Sequence, residues 1–226
     1  MESYKRKVHF TRHDLITDLI MFTGIIEDIG FITNIYNSSN LENINNGIRL
    51  FVKVNNIDLK SISIGDSISI QGACMTVTNI EGSGFYVDIS QESLKCTVGL
   101  SSVGEVNIER ALKLESRMGG HILYGHVDCI GKVYDFSPCG ESKALAIDIP
   151  TNFAKFVAYK GSIAINGVSL TTNSVVDYNE FSRMTINIIP HTQVTTTLHK
   201  LSKNDSVNVE IDSIARYVDR ILTFNK

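Results

Sequence analysis

The sequence predicts a mainly β protein built from two homologous halves, each a small closed β-structure, with one helix at the C-terminus. Short runs rich in Val, Ile and Thr recur along the chain, with 16 glycines and only three prolines. Runs of this kind separated by turns are typical of barrels and sandwiches. Segments of the first half recur in order in the second half, and the clearest helical pattern lies at the C-terminus.

The composition narrows the class of protein. Apolar residues make up 43% of the 226 residues, charged residues make up 20%, and the formal net charge is -3. Without a charge run or a long apolar run, the chain is predicted to bind neither nucleic acid nor a membrane. The cysteines at 74, 96, 129 and 139 contain no C-x-x-C pair, which argues against a structural zinc site and favours free thiols in a reducing compartment.

The first element is an N-terminal extension of residues 1–20, ahead of Met21. A plastid transit peptide is the alternative for this extension. Such peptides are poor in acidic residues, so Glu2, Asp14 and Asp18 argue against one. We therefore expect a cytoplasmic protein whose true start is Met21.

Two halves, residues 21–120 and 121–212, follow from an internal repeat. Three pairs of segments match in the same order: Phe22–Gly30 with Leu123–Gly131, Ser67–Thr78 with Ser162–Asn173, and Val106–Glu109 with Val207–Glu210. Three matches at an offset of about 100 residues indicate a duplication rather than chance. Closure suits such halves, because it leaves short strands without exposed edges. We expect Phe22–Gly30 and Leu123–Gly131 to be the first strand of each half.

The last element is a predicted helix over Ser213 to Phe224, within a C-terminal segment of residues 213–226. Its apolar residues recur with the helical period and form one apolar stripe. The apolar stripe consists of Ile214, Tyr217, Val218, Ile221 and Leu222.

Two glycine–histidine pairs, Gly120-His121 and Gly125-His126, lie at the junction of the halves. Histidines at this spacing, on opposite faces of a strand or across a turn, do not easily converge on one metal ion, so no metal site is predicted. His121 is interpreted as a structural residue of the junction. His126 stands where the first half has Ile25, and this asymmetry makes it a candidate for binding with acid–base help.

Five separated motifs together resemble riboflavin synthase of the α-chain type. They are MFTGIIE from Met21, GACMTV from Gly72, GGHILYGHVD from Gly119, YKGSIAINGVSLTT from Tyr159 and VNVEIDSIARYV from Val207. The resemblance covers residues 21–222, nearly the whole chain, and the order of the five motifs makes it specific.

The resemblance implies a fold and an activity. Each half would be a six-stranded Greek-key barrel, and three chains would assemble through their C-terminal helices into a homotrimer. The substrate would be 6,7-dimethyl-8-ribityllumazine, of which two molecules dismutate by transfer of a four-carbon unit into riboflavin and 5-amino-6-(ribitylamino)uracil. No metal and no redox cofactor would take part. The productive pair of rings would lie between the first half of one chain and the second half of a neighbour, and association with lumazine synthase is a further expectation.

The candidate catalytic residues are Cys74, His126, Ser169, Thr171 and Asp212. Cys74 and Ser169 match in the repeat, and the resemblance places each beside one substrate ring. A Cys74 thiolate could attack an electron-poor ring carbon. The alternative is a small buried core residue, and the choice between a chemical and a steric role stays open. The resemblance implies proton handling by Asp212 beside Ser169, and an aspartate directly before a helix is also a favourable N-cap.

The resemblance also implies a larger set of substrate-binding residues along the matching strands and turns and along two matching pocket loops, Asp88–Ser93 and Ile189–Val194. Beyond the catalytic candidates, the set consists of Phe22, Gly24, Ile25, Ile26, Ala73, Met75, Thr76, Asp88, Ile89, Ser90, Gln91, Glu92, Ser93, Gly125, Val127, Lys160, Leu170, Ile189, Pro190, His191, Thr192, Gln193 and Val194. Thr76 matches Thr171, and each lies on the same strand face as the neighbouring Cys or Ser. The alternative for both is that threonine favours strands for its own sake.

Three positions set the halves apart or depart from the family pattern. Lys160 stands where the first half has Gly65, with a surface lysine at a turn as the alternative interpretation. His191 stands where family members often carry Glu, and Tyr124 where Gln or Ser is commoner. At His191 and Tyr124 the sequence therefore departs from the contacts that the resemblance implies.

Two other functions compete with catalysis. Lumazine- or flavin-binding proteins share the duplicated barrel without the reaction, but such binders tend to lose site residues in one half. A β-barrel interaction module would leave the asymmetries of the repeat unexplained. Cys74, His126, Lys160, Ser169 and Asp212 are all present, which favours the enzyme.

Overall fold

The computed structural model describes residues 21–37, 47–113 and 115–224. The predicted N-terminal extension of residues 1–20 and the last two residues of the C-terminal segment lie outside the described residues.

The first half folds into a closed barrel of antiparallel strands. In chain order they are β1 (Asp28–Asn37), β2 (Ile48–Lys53), β3 (Ser67–Ile70), β4 (Ala73–Glu81), β5 (Gly84–Ile89) and β6 (Gly104–Arg110). The neighbour order is β1-β2-β5-β4-β3-β6, and β6 pairs with β1 to close the barrel. A short helix, α1 (Gln91–Cys96), follows β5.

The second half repeats this barrel. Its strands are β7 (Cys129–Cys139), β8 (Ser142–Pro150), β9 (Ser162–Ile165), β10 (Val168–Asp177), β11 (Phe181–Ile188) and β12 (Ser206–Ile211). Read from β7, the neighbour order β7-β8-β11-β10-β9-β12 matches that of the first barrel. Helix α2 (Pro190–Thr195) follows β11, and α3 (Ser213–Phe224) follows β12. The predicted mainly β fold of two six-stranded barrels and a C-terminal helix is confirmed.

Strand alternation decides which side chains reach the outside of each barrel. On β4, Ala73 is buried in the core, whereas Cys74 is half-buried and Thr76 is exposed. On β10, Ser169 is half-buried and Thr171 is exposed in the same way. Because successive side chains point to opposite faces of a strand, the candidate catalytic side chains of both strands lie on the outer faces of the barrels.

The first strands begin later than predicted. The predictions over Phe22–Gly30 and Leu123–Gly131 are wrong in their first residues, because β1 and β7 start only after each segment has turned. Gly24 and Gly125 have φ angles of 76° and 71°, which turn the chain away from an extended path. The two segments meet each other instead, in one isolated antiparallel bridge.

The barrels approach each other closely at two turns that match in the repeat. A Cβ atom on Gly72 would come within 2.6 Å of the Gly167 backbone nitrogen. Both glycines have positive φ angles, 85° and 80°. A side chain at either position would force the barrels apart, so the close approach depends on these glycines.

Helix α3 contacts its own barrel through its polar side. Arg216 pairs with Asp128, and Lys155 pairs with Asp219, both at 2.6 Å. The apolar stripe faces away from the barrel, with exposed fractions between 49% and 69%. None of the helices within residues 21–37, 47–113 and 115–224 is long and apolar enough to cross a membrane.

Candidate functional site

Two strands carry candidate catalytic residues, β4 with Cys74 and β10 with Ser169, and each is hydrogen-bonded to a loop from the other half of the chain. These two loops, around Gly125 and around Gly24, are called the glycine loops. The Cys74 backbone nitrogen donates a hydrogen bond to the Gly125 carbonyl oxygen at 2.8 Å, and the Ser169 nitrogen donates to the Gly24 oxygen at 2.9 Å. The structure therefore holds two composite sites. The Cys74 site comprises β4 and the loop around Gly125, and the Ser169 site comprises β10 and the loop around Gly24.

His121 belongs to the Ser169 site. Its Nδ1 atom lies 2.7 Å from the Ser169 Oγ atom. The chain can pass this close because Gly120 has no side chain, since a Cβ atom there would lie 2.0 Å from the Thr23 carbonyl oxygen. From the sequence alone, His121 is expected to be only a structural residue of the junction. The glycine–histidine pair was the visible signal, but its contact with a strand of the second barrel is a tertiary feature.

The surroundings of His121 favour the neutral imidazole. Burial lowers the pKa of His121, and the nearby Asp212 carboxylate opposes this effect only in part. With its proton on Nε2, a neutral imidazole accepts a hydrogen bond at Nδ1. His121 can then receive the hydroxyl proton of Ser169, which would make the Ser169 oxygen a better nucleophile or hydrogen-bond acceptor.

The Cys74 site has a different character. Burial raises the pKa of the Cys74 thiol, and a hydrogen bond with Ser67 opposes this only in part. A neutral thiol is a weaker nucleophile than a thiolate, so a steric or hydrogen-bonding role is favoured over a nucleophilic one.

The two histidines of the junction serve different sites. His126 follows Gly125 on the loop of the Cys74 site and is exposed, with its ring stacked on that of Tyr124 at a centroid distance of 6.0 Å. His121 reaches Ser169 instead. In the part of the chain that the structure describes, no three His, Cys, Asp or Glu side chains are grouped so as to hold a metal ion.

Asp212 lies between β12 and α3 and has two effects. Its Oδ1 atom accepts a hydrogen bond from the Ile214 backbone nitrogen at 2.9 Å, which caps the helix. Its charge also raises the pKa of His121 against the stronger effect of burial. Asp212 is therefore a helix cap whose carboxylate also favours the protonated form of His121, the residue that contacts Ser169.

Lys160 and Gly65 occupy the same turn in the two barrels. Their backbone nitrogens donate to the carbonyl oxygens of Thr172 and Val77, each at 2.8 Å. Both residues have positive φ angles, 62° and 99°. The Lys160 side chain is exposed, and its Nζ atom lies 3.3 Å from Asn173 Oδ1. This turn therefore adds a positive charge beside β10 that the corresponding turn beside β4 lacks.

The two predicted pocket loops form short helices instead. α1 contains the end of the segment Asp88–Ser93, and α2 contains most of the segment Ile189–Val194. Ser90 caps α1, because its Oγ atom accepts a hydrogen bond from the Ser93 nitrogen at 3.0 Å. Pro190 begins α2, a position where its missing N–H group is not needed. The loop prediction was wrong, because Ser90 and Pro190 each favour the start of a helix at these positions.

The remaining predicted binding residues differ in burial. The exposed ones, which can reach a ligand with their side chains, are Ile25, Thr76, Ser90, Gln91, Glu92, Ile189, Pro190, His191 and Val194. The half-buried ones are Ile26, Ser93, Val127 and Thr192. The buried ones, which can offer a ligand mainly backbone groups, are Phe22, Ala73, Met75, Ile89 and Leu170. Asp88 pairs with Arg49 at 2.6 Å, and Gln193 donates to the Ile188 oxygen at 2.9 Å, so both have structural partners.

Two buried glutamates complete the composite sites. Glu109 and Glu210 are 4% and 6% exposed, and each accepts hydrogen bonds from a glycine loop at 2.6 to 3.0 Å. Burial raises the pKa of each carboxyl group to about 7, although the hydrogen bonds oppose this. In the sequence, both residues stand out only as matching positions of the repeat.

Gly125→Ala is expected to lower the free energy of unfolding by about 2–5 kcal/mol, as backbone strain adds to overpacking. The φ angle is 71°, and a Cβ atom would lie 2.6 Å from Cys74 Cβ. Gly82→Ala is the matched control, because its φ angle is 56° but nothing lies within 4 Å. Urea unfolding measures both variants. Equal losses of stability would contradict the close approach of the Gly125 loop to Cys74.

Comparison with known proteins assigns this duplicated architecture to a family. The lumazine binding domain model matches twice, at residues 23–111 and 124–212. Riboflavin synthase from Photobacterium leiognathi is 38% identical over 208 residues, which make up 91% of this chain and 91% of the relative. This chain belongs to the riboflavin synthase family. It is accordingly an enzyme of the transferase type, and each barrel is a lumazine-binding domain.

Further relatives extend the riboflavin synthase family across distant organisms. The protein from Brucella abortus (strain 2308) is 36% identical over 213 residues, 91% of this chain and 100% of the relative. The protein from Schizosaccharomyces pombe is 36% identical over 205 residues, 89% of this chain and 94% of the relative. Among solved structures, LumP complexed with 6,7-dimethyl-8-(1'-D-ribityl) lumazine has a TM-score of 0.70 at 26% identity, covering 84% of this chain and 98% of LumP. LumP complexed with riboflavin has a TM-score of 0.72 at the same identity and coverage.

Proposed function

We propose that this chain catalyses the dismutation of two molecules of 6,7-dimethyl-8-ribityllumazine. One molecule gives a four-carbon unit to the other, which yields riboflavin and 5-amino-6-(ribitylamino)uracil. Atoms and electrons balance between two substrate molecules and these two products, so no oxidant, reductant or further reactant is required. The observation that carries the proposal is the pair of composite sites, which share one architecture but present different side chains.

The two sites suit the unequal roles of two identical substrates. The Ser169 site pairs a hydroxyl with the imidazole of His121 and has the cationic Lys160 on a neighbouring turn, which favours proton transfer. The Cys74 site presents a thiol and the exposed hydroxyl of Thr76, with Gly65 in place of the lysine. One site can therefore hold the donor ring and the other the acceptor ring. Holding two rings face to face in place of a dilute encounter can supply roughly 7–11 kcal/mol.

We infer that the productive pair of rings forms between two chains of a homotrimer. α3 binds its own barrel through its polar side and leaves the apolar stripe exposed, so three stripes packed together would bury one another. This exposed stripe supports assembly through α3 and substrate sites that a neighbouring chain completes.

Two further proposals come from the composition and the family. A cytoplasmic location fits the four free cysteines Cys74, Cys96, Cys129 and Cys139, since thiols stay reduced in that compartment. Association with lumazine synthase would bring the enzyme close to the source of its substrate. Co-sedimentation of the two purified proteins tests this association.

Ser169→Ala is expected to lower turnover about a hundredfold, because it removes the hydroxyl whose proton His121 can accept. The affinity for 6,7-dimethyl-8-ribityllumazine should change much less, since the backbone and the rest of the site remain. Ser174→Ala is the matched control on the same strand, where the hydroxyl bonds Thr185 outside the site. Steady-state kinetics and equilibrium binding separate the two quantities. Full turnover by the Ser169 variant would remove Ser169 from the mechanism.

The proposed function is tested by incubating the purified protein with 6,7-dimethyl-8-ribityllumazine alone. Riboflavin, measured by its absorbance, should appear at one molecule for every two lumazine molecules consumed. Binding without riboflavin would instead indicate a carrier with the fold of the enzyme, and the likeness to lumazine-bound LumP makes this the second candidate function.

A further inference from the structure

Strands β6 and β12 carry the matching sequences VNIE and VNVE, and both faces of each strand are buried. In β6, Ile108 lies in the barrel core, whereas Asn107 and Glu109 point to the opposite face and are only 1% and 4% exposed. In β12, Asn208 and Glu210 are 1% and 6% exposed in the same arrangement. Buried amides and carboxylates require hydrogen-bond partners, so this second face must be matched by other polar groups.

The asparagines find their partners in the opposite barrel. Asn107 Nδ2 donates to the Asn166 carbonyl oxygen at 2.9 Å. Asn208 Nδ2 donates to the Gln71 carbonyl oxygen at 2.9 Å. Each asparagine thus holds a turn of the other barrel, and the second face of β6 and of β12 is the contact surface between the barrels.

The glutamates bind the two glycine loops. Glu109 Oε1 accepts hydrogen bonds from the Thr23 nitrogen at 2.6 Å and from the Thr23 hydroxyl at 2.7 Å, and Oε2 accepts from the Gly24 nitrogen at 2.9 Å. Glu210 accepts from the Tyr124 and Gly125 nitrogens at 2.7 and 3.0 Å. Each glutamate therefore fixes the loop that belongs to its own half.

Each fixed loop then crosses to the other half. The Gly24 oxygen accepts the Ser169 amide of the second barrel, and Ile26 packs against the core of that barrel. The Gly125 oxygen accepts the Cys74 amide of the first barrel, and Val127 packs against that core. A chain of direct contacts therefore leads from each glutamate to the candidate site of the opposite barrel.

We propose that Glu109 and Glu210 are positioning residues that act across the contact between the barrels. Glu109 of the first barrel positions Ser169 of the second, and Glu210 of the second barrel positions Cys74 of the first. The proposal rests on the proposed function, since it treats Ser169 and Cys74 as parts of the substrate sites. Each barrel needs the other to shape its own site.

Replacement of one glutamate by glutamine weakens its loop in a defined way. A glutamine side chain keeps one acceptor oxygen and replaces the other with an NH2 group. In Glu109→Gln, that NH2 group would face the Gly24 N–H or the Thr23 donors, so at least one buried donor loses its partner. The loop becomes less rigid, and the hydrogen bond from the Ser169 amide to Gly24 opens more often.

Amide hydrogen exchange on the full-length protein tests whether each glutamate positions the candidate site of the opposite barrel. In Glu109→Gln, the peptide that contains Ser169 should exchange about tenfold faster, whereas the peptide that contains Cys74 keeps its wild-type rate. In Glu210→Gln, the Cys74 peptide should exchange faster and the Ser169 peptide should not. Glu141→Gln is the matched control, because Glu141 lies exposed in the turn between β7 and β8, and it should change neither peptide.

The pattern distinguishes positioning from a purely structural role. A structural role would loosen the barrel that contains the substituted glutamate, or both barrels equally, and either result would overturn the proposal, as would unchanged exchange at both peptides. If Glu109→Gln does not fold, Thr23→Val removes one donor to Glu109 and keeps the others. It should raise exchange at the Ser169 peptide alone, by a smaller factor.

Turnover separates this proposal from the proposed function. If the positioning proposal and the proposed function both hold, each Glu→Gln variant should form riboflavin about a hundredfold more slowly than wild type. If each glutamate variant exchanges faster only at the site of the opposite barrel, but the wild type makes no riboflavin, the result supports the positioning and contradicts the proposed function. If the wild type makes riboflavin, but the variants do not exchange faster at the opposite barrel, the result supports the proposed function and contradicts the positioning.

Discussion

Ile221→Asp is expected to convert the proposed homotrimer into single chains and to lower riboflavin formation about a hundredfold, because the substrate pair proposed to form between neighbouring chains would lose its common site. Ile221 is 69% exposed within one chain, so the substitution disturbs little inside it. In a trimer formed through α3, the new carboxylate would be buried without a partner, which strongly disfavours association. Sedimentation velocity measures the assembly, and the lumazine assay measures turnover.

Thr223→Asp is the matched control for this change. Thr223 is exposed on α3 and does not belong to the apolar stripe, so the same charge at this position should leave assembly and turnover close to wild type. Ile221→Asp chains that still sediment as a trimer would contradict assembly through α3. Single chains with full turnover would contradict a substrate pair held between neighbours.

The two barrels and the C-terminal helix could be predicted because each depends on patterns that are local or repeated. Short β-rich runs and matching segments such as VNIE and VNVE indicate two closed halves. The helical period of the apolar stripe sets the bounds of α3, which agree with the structure. The glycine loops were misjudged as strand because their sequence has β character, whereas the φ angles of Gly24 and Gly125 are positive.

The exchange of loops between the halves lies beyond what a duplicated sequence can indicate. Gly24 contacts Ser169 of the other barrel, but the repeat is equally compatible with a contact to Cys74 of its own barrel. Only tertiary packing decides between these two arrangements. The sequence did not predict a site role for His121 for the same reason, because its contact with Ser169 joins two segments far apart in the sequence.

The buried glutamates show a second limit. Alternating polar residues in VNIE are typical of a strand with one face in solvent, and nothing local reveals that a second barrel covers that face. The resemblance supplied Cys74, Ser169 and Asp212 as candidates by type. The contacts that connect them, through Glu109, Glu210 and His121, depend on how the two barrels pack.

The free energy of unfolding is expected to fall by about 3 kcal/mol for each of Glu109 and Glu210 as the pH rises from about 4.5 to about 7. Burial raises the pKa of each carboxyl group to about 7 in the folded chain, and the charges of Glu27 and Asp128 add to this effect. Between these pH values the folded chain holds a proton that the unfolded chain has already lost. The stabilisation is therefore complete below pH about 4.5 and is lost as the pH rises through about 7.

Urea unfolding of the wild type, Glu109→Gln and Glu210→Gln at several pH values measures this effect. Other carboxyl groups contribute to every curve, so the difference between wild type and variant isolates one glutamate at a time. Each difference should change by about 3 kcal/mol across the window, whereas Glu141→Gln should run parallel to wild type. Parallel curves for all three variants would contradict the raised pKa values of Glu109 and Glu210.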